Sequence, residues 1–170
     1  MMRRVAESWG GLDVLVLNAG IWREGVMGEM SLADWRDVIA ANLTGAFIVT
    51  NEAMRLITAG SNVEPATQKR IIFIASTAGV RGESRHSHYA ASKGGMIAMM
   101  KSLAVELAPH GVTVNCVAPG WVRTDMTESL LSDEESRKGI EATIPLGRVG
   151  DPDEVASAVT FLASRQASYI

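Results

Sequence analysis

The chain has a single cysteine, Cys116, among its 170 residues, so an internal disulfide is impossible. Because this thiol lies in an apolar stretch, we expect it to fill a small space in the core within a reducing compartment, the cytoplasm. Long apolar runs are also missing, and no stretch reaches the roughly 18 residues that a membrane helix needs. Arg3 and Arg4 are followed by Glu7, Trp9 and two glycines, which is not the pattern of a signal peptide.

No excess of positive charge is present either. Lysine and arginine number 16 against 19 acidic residues, for a formal net charge of -3, and no basic cluster exceeds the pair Arg3 and Arg4. These values exclude nucleic acid and anionic membrane surfaces as expected partners. With 47% apolar residues and no shift in composition along the chain, we expect one domain over residues 1–170.

Three apolar runs, at residues 12–18, 71–75 and 112–118, have the length and continuous hydrophobicity of buried strands. Helical segments separate them, which predicts parallel pairing with right-handed crossovers. The predicted fold is therefore α/β, a doubly wound parallel sheet with both faces covered by helices. Ligands bind at the carboxyl edge of such sheets, so residues that directly follow these strands are candidates for a site.

Helices are predicted from apolar spacing and from capping residues. One begins after Ser31, with Asp34 as a variant of the capping box, and continues into an apolar segment at residues 42–59, after which residues 60–69 form a loop. The other predicted helices cover residues 1–8, 87–107 and 151–163. The charged and mixed stretch 121–150 has the composition of a mobile lid.

A serine, a tyrosine and a lysine are predicted to meet at one pocket. Ser76 ends the second strand, and Tyr89 and Lys93 lie four residues apart near the start of the long helix, so their side chains share a face. Each residue alone could have an ordinary structural role, such as a strand-end hydroxyl or a solvated charge. Together at the carboxyl edge of the sheet they indicate a catalytic site.

The order of these motifs resembles the short-chain dehydrogenase/reductase family, within which the chain looks similar to 3-oxoacyl-acyl-carrier-protein reductases. The resemblance rests on several elements in sequence: Asn18-Ala19-Gly20 after a strand, Asn42 in a helix, Ser76, Tyr89-x-x-x-Lys93 and Pro119-Gly120-x-x-x-Thr124. Tyr89 follows Ser76 by 13 positions, a spacing usual in that family. The resemblance implies a Rossmann-like fold and hydride transfer between NAD or NADP and a small-molecule carbonyl or alcohol.

The resemblance also implies roles for individual residues. Tyr89 is the expected proton donor or acceptor, Ser76 binds the carbonyl oxygen, Lys93 holds the ribose hydroxyls, and Asn42 anchors a water chain. The expected cofactor contacts are Asn18, Ala19, Gly20, Tyr89, Lys93, Pro119, Gly120, Val122 and Thr124. A lysine cation ~4 Å from the phenol at an effective dielectric of ~20 is worth roughly 4 kcal/mol, so we expect Lys93 to lower the pKa of Tyr89.

The sequence departs from the family pattern before residue 12. No glycine-rich turn lies between a strand and a helix there, so the usual anchor for the pyrophosphate is missing. We therefore expect a piece of a longer enzyme that lacks the first strands and the last strand, exposes an unpaired sheet edge, and by itself binds nicotinamide cofactor weakly.

Two alternatives stay open. The apolar helices 42–59 and 87–107 favour a homo-oligomer, a dimer or tetramer, and a truncated chain could act only through such surfaces without catalysis.

His86 and His88, beside Tyr89, could be a base or a metal ligand. No carboxylate or cysteine joins them at ligand spacing, so we expect solvent or loop contacts instead.

Overall fold

A three-stranded parallel sheet, in the order β1-β2-β3, forms the centre of the fold. The computed structural model describes residues 1–58 and 68–170. The strands are β1 (Val14–Leu17), β2 (Lys69–Ile74) and β3 (Val112–Val117). The α-helices are α1 (Met2–Trp9), α2 (Leu32–Ile39), α3 (Gly45–Ile57), α4 (Ala78–Arg81), α5 (Ser87–Leu107), α6 (Glu128–Leu131), α7 (Glu134–Ala142) and α8 (Pro152–Ala163). The three predicted strands and their parallel pairing are confirmed.

The helices lie on two sides of this sheet. Right-handed crossovers in the order β1-β2-β3 place α3 and α5 on one face, and α8 contacts β2 and β3 from the other. The expectation that both faces are covered is wrong at β1, where Val14 and Val16 are 37% and 40% exposed while Leu15 and Leu17 are buried. The open face arises because α8 lies over β2 and β3. Among the described residues, β1 pairs with β2 alone.

The main core lies between the sheet and α3 and α5. Ile71 and Phe73 of β2 and Met96 of α5 are fully buried there, and Met99 and Met100 pack against the same cluster. The flexible thioether side chains fill the irregular space between helix and sheet. Cys116 is half-buried and packs against this core.

The first long helix begins as predicted and contains a turn that the sequence did not predict. The Ser31 hydroxyl accepts a hydrogen bond from Asp34 N at 3.1 Å, which caps α2. A π-helical turn, Ala40–Thr44, then joins α2 directly to α3. The predicted apolar helix 42–59 lies within this continuous helix, but its end at residue 59 and most of the predicted loop 60–69 lie outside the described residues. The predicted loop is wrong at Lys69, which is the first residue of β2.

Residues 121–150, the expected lid, contain α6 and α7, and the two ends of the segment lie side by side. A parallel bridge joins Val122 to Gly150 at the base of the segment, and α8 begins immediately afterwards with Asp151 N donating to Glu154 Oε2 at 2.8 Å. The start of α8 is as predicted. The mobility of the segment stays a prediction. None of the described helices combines the length and the apolar character needed to span a bilayer.

Candidate active site

A cavity of about 870 Å³ opens at the carboxyl ends of the three strands. The predicted site residues that line it are Asn18, Ala19, Gly20, Ser76, Tyr89, Lys93, Pro119, Gly120, Val122 and Thr124. The remaining predicted residue, Asn42, lies behind Gly20, with its Oδ1 3.1 Å from the position that a Cβ would take there. The topology therefore brings the predicted residues from all three strand ends and from α5 into one place.

Tyr89 and Ser76 form the polar centre of this cavity. Tyr89, in the first turn of α5, is only 9% exposed, and burial raises the pKa of its phenol. A side-chain hydrogen bond with Ser76 acts in the opposite direction, and Glu83 raises the Tyr89 pKa further. Ser76 Oγ also accepts a hydrogen bond from Ala78 N at 3.1 Å, which fixes the serine at the turn into α4.

Lys93 lies one helical turn beyond Tyr89 on the same face of α5. Its Nζ donates to the carbonyl oxygen of Ile74 at 2.8 Å and lies 5.8 Å from the centroid of the Tyr89 ring. Burial lowers the pKa of Lys93 to about 8.

The predicted lowering of the Tyr89 pKa by Lys93 is wrong. Desolvation penalises the phenolate more than its neighbours favour it, and Ser76 is the group that lowers the pKa. The ammonium is itself buried beside the end of β2, where it points to a backbone carbonyl.

Asn42 organises the cavity from behind through three hydrogen bonds. Its Oδ1 accepts from Ile21 N at 2.7 Å, and its Nδ2 donates to Ile21 O at 2.9 Å and to Ser92 Oγ at 3.0 Å. Ser92 in turn donates to the carbonyl oxygen of Tyr89 at 2.7 Å. Both Asn42 and Ser92 are fully buried, so this chain of bonds connects the loop after β1 to the turn of α5 that carries Tyr89.

Ser92 is a site residue that the sequence did not predict. Its signal was present as a small hydroxyl residue between Tyr89 and Lys93, on the side of α5 that faces the π-helical turn. Serines within helices commonly bond only to the backbone of their own helix. Ser92 is therefore distinguished from an ordinary helical serine only by its partner Asn42, which lies 50 residues away in the chain.

Two glycines let α4 approach α5 closely beside Lys93. A Cβ at Gly79 would lie 2.6 Å from the backbone carbon of Lys93, and a Cβ at Gly94 would lie 3.1 Å from the carbonyl oxygen of Gly79. Neither helix could keep this separation with a larger residue at Gly79. The short helix after Ser76 is therefore held directly against the helix that carries the tyrosine and the lysine.

The third strand end contributes a second ordered loop. Thr127 Oγ1 donates to the carbonyl oxygen of Val122 at 2.7 Å and accepts from Thr124 N at 3.1 Å. These bonds hold the backbone of residues 122–124 along the cavity wall. Thr127 was also not predicted, because its role depends on a turn that the sequence does not mark.

The expectation of solvent or loop contacts for the two histidines beside Tyr89 is confirmed only for His86. His86 is 8% exposed and His88 is fully buried, so the prediction of solvent contact is wrong. The predicted loop contact holds for His86, whose Nδ1 lies 2.8 Å from Ser84 O. The segment before α5 folds inward because α2 packs against the start of that helix. Within the described part of the chain, no group of three His, Cys, Asp or Glu residues is placed to hold a metal ion.

Two tryptophans that were not predicted as site residues also line the cavity. Trp22 and Trp121 follow the Asn18-Ala19-Gly20 and Pro119-Gly120 segments respectively, and both face the cavity. Their positions just after two strand ends could have indicated this. Val155 and Val159 of α8 also line the cavity, which no local pattern could predict, because the packing of α8 on the sheet is a tertiary contact.

Comparison with known proteins identifies the family. The family model described as enoyl-(acyl carrier protein) reductase matches residues 1–170. The chain is 42% identical over 170 residues to 3-oxoacyl-[acyl-carrier-protein] reductase FabG of Vibrio cholerae. That match covers 100% of this chain and 66% of the relative, so the chain spans about two thirds of the length of the curated relative.

Two solved structures have the same fold. A short-chain dehydrogenase/reductase, titled glucose/ribitol dehydrogenase, from Brucella melitensis aligns with a TM-score of 0.88 at 38% identity, and covers 99% of this chain and 64% of that one. A putative gluconate dehydrogenase from Agrobacterium tumefaciens aligns with a TM-score of 0.91 at 30% identity over the same shares of the two chains. The predicted Rossmann-like fold is therefore confirmed, and the chain belongs to the short-chain dehydrogenase/reductase family.

Proposed function

We propose that this chain takes part in hydride transfer between a nicotinamide cofactor, NAD or NADP, and a small-molecule carbonyl or alcohol. The observation that carries the proposal is that Ser76, Tyr89 and Lys93 line one cavity at the carboxyl edge of the sheet. The likeness to reductases and dehydrogenases supports the same reaction class. The free thiol of Cys116 suits the reducing cytoplasm as the compartment.

Tyr89 is the proposed proton donor in the direction of reduction. Burial raises the pKa of its phenol, so the hydroxyl keeps its proton near neutral pH. As negative charge builds on the substrate oxygen, the phenol can deliver that proton in the same step. The hydrogen bond with Ser76 lowers the Tyr89 pKa and so eases this transfer.

Ser76 is the proposed positioning group for the carbonyl oxygen. Its oxygen already accepts from Ala78 N, so the hydroxyl orientation is restrained before a substrate arrives. A hydroxyl fixed in this way can donate to a carbonyl oxygen and hold it near the phenol. This bond joins the serine at the strand end to the first turn of α4.

Lys93 and Gly20 fit the nicotinamide half of the cofactor. Lys93 Nζ uses one of its protons for Ile74 O, which leaves two donors for ribose hydroxyls at the cavity surface. Gly20 lies with its Cα beside Lys93 Nζ and Asn42 Oδ1, and a Cβ there would come within 3.3 Å and 3.1 Å of these atoms. A bound cofactor would supply the hydride, while the chain's own residues would orient it and move the proton.

A second candidate function is association without catalysis. Phe47 and Ile48 of α3 are 54% and 53% exposed, and Val105 of α5 is 77% exposed. Exposed apolar side chains on these two helices are typical of an interface between copies. We propose that copies of the chain associate through these helices into a homo-oligomer, a dimer or tetramer, whether or not the chain is catalytic.

The experiment that separates the two functions uses Tyr89→Phe in the full chain. Oxidation of NADH and NADPH is followed with a panel of ketones, alone and after mixing with an intact relative. We expect the variant to lose roughly 10²- to 10⁴-fold in turnover, as for other lost general acids, with unchanged folding. Tyr169→Phe, at a fully exposed position, serves as the matched control.

Activity above that of the intact relative by itself that does not depend on Tyr89 would overturn the proposed role of the phenol. Inhibition of the intact relative by both the native chain and the Tyr89→Phe variant, with no turnover of their own, would instead support the association function. Cofactor binding, measured by calorimetry, tests the expectation that the chain alone binds NADH and NADPH weakly, and micromolar binding of either would contradict it.

A further inference from the structure

Three aromatic rings from the loops after β1, β2 and β3 form a cluster at the cavity. The Trp22 ring stacks on the His86 ring with centroids 4.4 Å apart and an interplanar angle of 14°. The Trp121 ring meets Trp22 edge to face at 6.2 Å and 75°. Both indoles also line the cavity that contains Ser76 and Tyr89, and each is only partly buried. The cluster therefore presents aromatic surface to whatever occupies the cavity.

The Trp22 ring is held in place by contacts between its own loop and the segment before α5. Gly25 N donates to Arg85 O at 2.7 Å, and an ion pair joins Arg85 to Glu24. The His86 ring is fixed by its Nδ1 contact with Ser84 O. Because these bonds connect the loop after β1 to the segment before α5, the stacked rings are formed before any ligand binds, which lowers the entropy cost of binding.

Trp22 also lies beside the proposed reaction centre. It packs against the small cluster of Val38, Ala78 and Tyr89. A carbonyl compound whose oxygen reaches the Tyr89 hydroxyl can therefore place a substituent against the Trp22 indole. A flat apolar substituent gains stacking and buried area at such a wall.

The charges around the cavity do not favour an ionic substrate. The four charged residues that line it are two cations, Arg81 and Lys93, and two carboxylates, Glu83 and Asp125, whose formal charges cancel. Glu83 also lies close enough to Tyr89 to act on its phenol electrostatically. Because the four charges cancel, the lining gives no net attraction to an anionic or a cationic substrate, which favours a neutral one.

We propose that Trp22 and Trp121 determine specificity in this cavity and select an uncharged carbonyl compound, or the matching alcohol, with a flat aromatic substituent next to the reacting carbon. This inference rests on the proposed function and deepens it. Trp22 lines the cavity next to Tyr89, and Trp121 contacts Trp22 from the loop after β3 and lines the same side of the cavity. His86 acts only as a positioning residue, since it supports the Trp22 ring from behind.

The first test observes binding without turnover. The full chain is labelled with 5-fluorotryptophan, and its four tryptophan signals are assigned with single Trp→Phe variants. Titration with 1-phenylethanol should shift the signals of Trp22 and Trp121 and leave Trp9 and Trp35 unmoved. Titration with 2-octanol, which has the same number of carbon atoms and no ring, should shift them at least several-fold less. Equal shifts with both alcohols, or no shift at Trp22 and Trp121, would overturn the proposal.

The second test uses turnover and a matched variant. We expect Trp22→Ala to lower kcat/KM for acetophenone by roughly tenfold or more through KM, and to lower kcat/KM for 2-octanone by less than threefold. Trp22→Phe should restore most of the acetophenone value, and Trp9→Ala, at a 77% exposed position, should change neither. Equal losses for both ketones would overturn the proposal.

The two readouts also separate this inference from the proposed function. Fluorine shifts at Trp22 and Trp121 without any Tyr89-dependent turnover, either alone or after mixing with the intact relative, would reject the proposed reaction and leave the aromatic binding site standing. Turnover that depends on Tyr89 but shows no aromatic preference would reject the specificity inference and leave the reaction standing.

Discussion

The side-chain amide of Asn42 binds both backbone polar groups of Ile21. Ile21 N donates to Asn42 Oδ1 at 2.7 Å, and Asn42 Nδ2 donates to Ile21 O at 2.9 Å. Asn42 lies in a π-helical turn of a long helix, and Ile21 directly follows the Asn18-Ala19-Gly20 segment. This one side chain therefore fixes the position of the loop after β1, whose residues Asn18, Ala19 and Gly20 line the cavity.

Replacement of Asn42 by alanine should destabilise the fold. The change removes the side-chain partner of the part-buried Ile21 N and Ile21 O and one of the two partners of the buried Ser92 Oγ, and each unsatisfied buried group costs about 1–3 kcal/mol. We expect the free energy of unfolding in urea to fall by at least that amount. Asn51→Ala, at an exposed position of the same helix, should change it by less than about 0.5 kcal/mol. Equal effects of the two substitutions would contradict the role of the Asn42 bonds.

Lys93 should make stability rise with pH on the alkaline side. Burial lowers its folded-state pKa from 10.5 to about 8, so between pH 8 and pH 10 the unfolded chain holds more protons at this site than the folded chain. Stability therefore increases with pH in that window. The contribution of Lys93 should grow by about 2 kcal/mol from pH 8 to pH 10, relative to Lys93→Met.

The measurement is urea unfolding of both chains at pH 7, 8, 9 and 10. Comparison with Lys93→Met cancels the titration of the groups that do not interact with Lys93. Lys101→Met, at an exposed position on the same helix, should follow the native pH profile. If the free energy of unfolding of the native chain changes with pH in the same way as that of Lys93→Met over this range, the ammonium is not desolvated.

The ion pair between Arg148 and Glu154 should hold the end of the 121–150 segment against α8. Arg148 donates to both carboxylate oxygens at 2.8 Å and 2.7 Å, and this bond is the main reason that the Glu154 pKa falls to about 2. Since the carboxyl of Glu154 has a depressed pKa, the interaction is present above its ordinary pKa of 4.5 and is lost as the pH falls toward 2.

Glu154→Gln should therefore raise the rate of tryptic cleavage within residues 121–150 severalfold, because local opening becomes less costly. Cleavage sites and rates are followed by mass spectrometry. Asp153→Asn, at an exposed position in the same first turn of α8, removes a carboxylate without breaking this pair and should leave the rate unchanged. Slower or equal cleavage in Glu154→Gln would show that the pair does not restrain the segment.

Local patterns were enough to predict the strands, most helices and the grouping of the main polar residues. Residues 12–18, 71–75 and 112–118 are apolar runs of strand length; the first and third contain β1 and β3, and the second overlaps β2, which begins two residues earlier at Lys69. Tyr89 and Lys93 share a helix face because four residues make about one turn, and Ser76 lies at a strand end because the apolar run stops there. The parallel topology then follows from the helices between the strands.

Other features depended on contacts between segments far apart in the chain. The burial of His86 and His88, the link from Asn42 through Ser92 to Tyr89, the open face of β1 at Val14 and Val16, and the stack of Trp22 on His86 have no signature within any short stretch of the sequence. The pKa of Tyr89 is another case, because desolvation depends on what packs around the phenol rather than on the spacing to Lys93.

By itself, the sequence determined the periodicity of the backbone elements and the types of side chain at each strand end, since both are local properties of consecutive residues. Only the tertiary structure decided which of those side chains are buried, which charges face each other and which aromatic rings meet at the cavity. These properties depend on distances through space and on the exclusion of water, and neither is encoded by neighbouring residues alone.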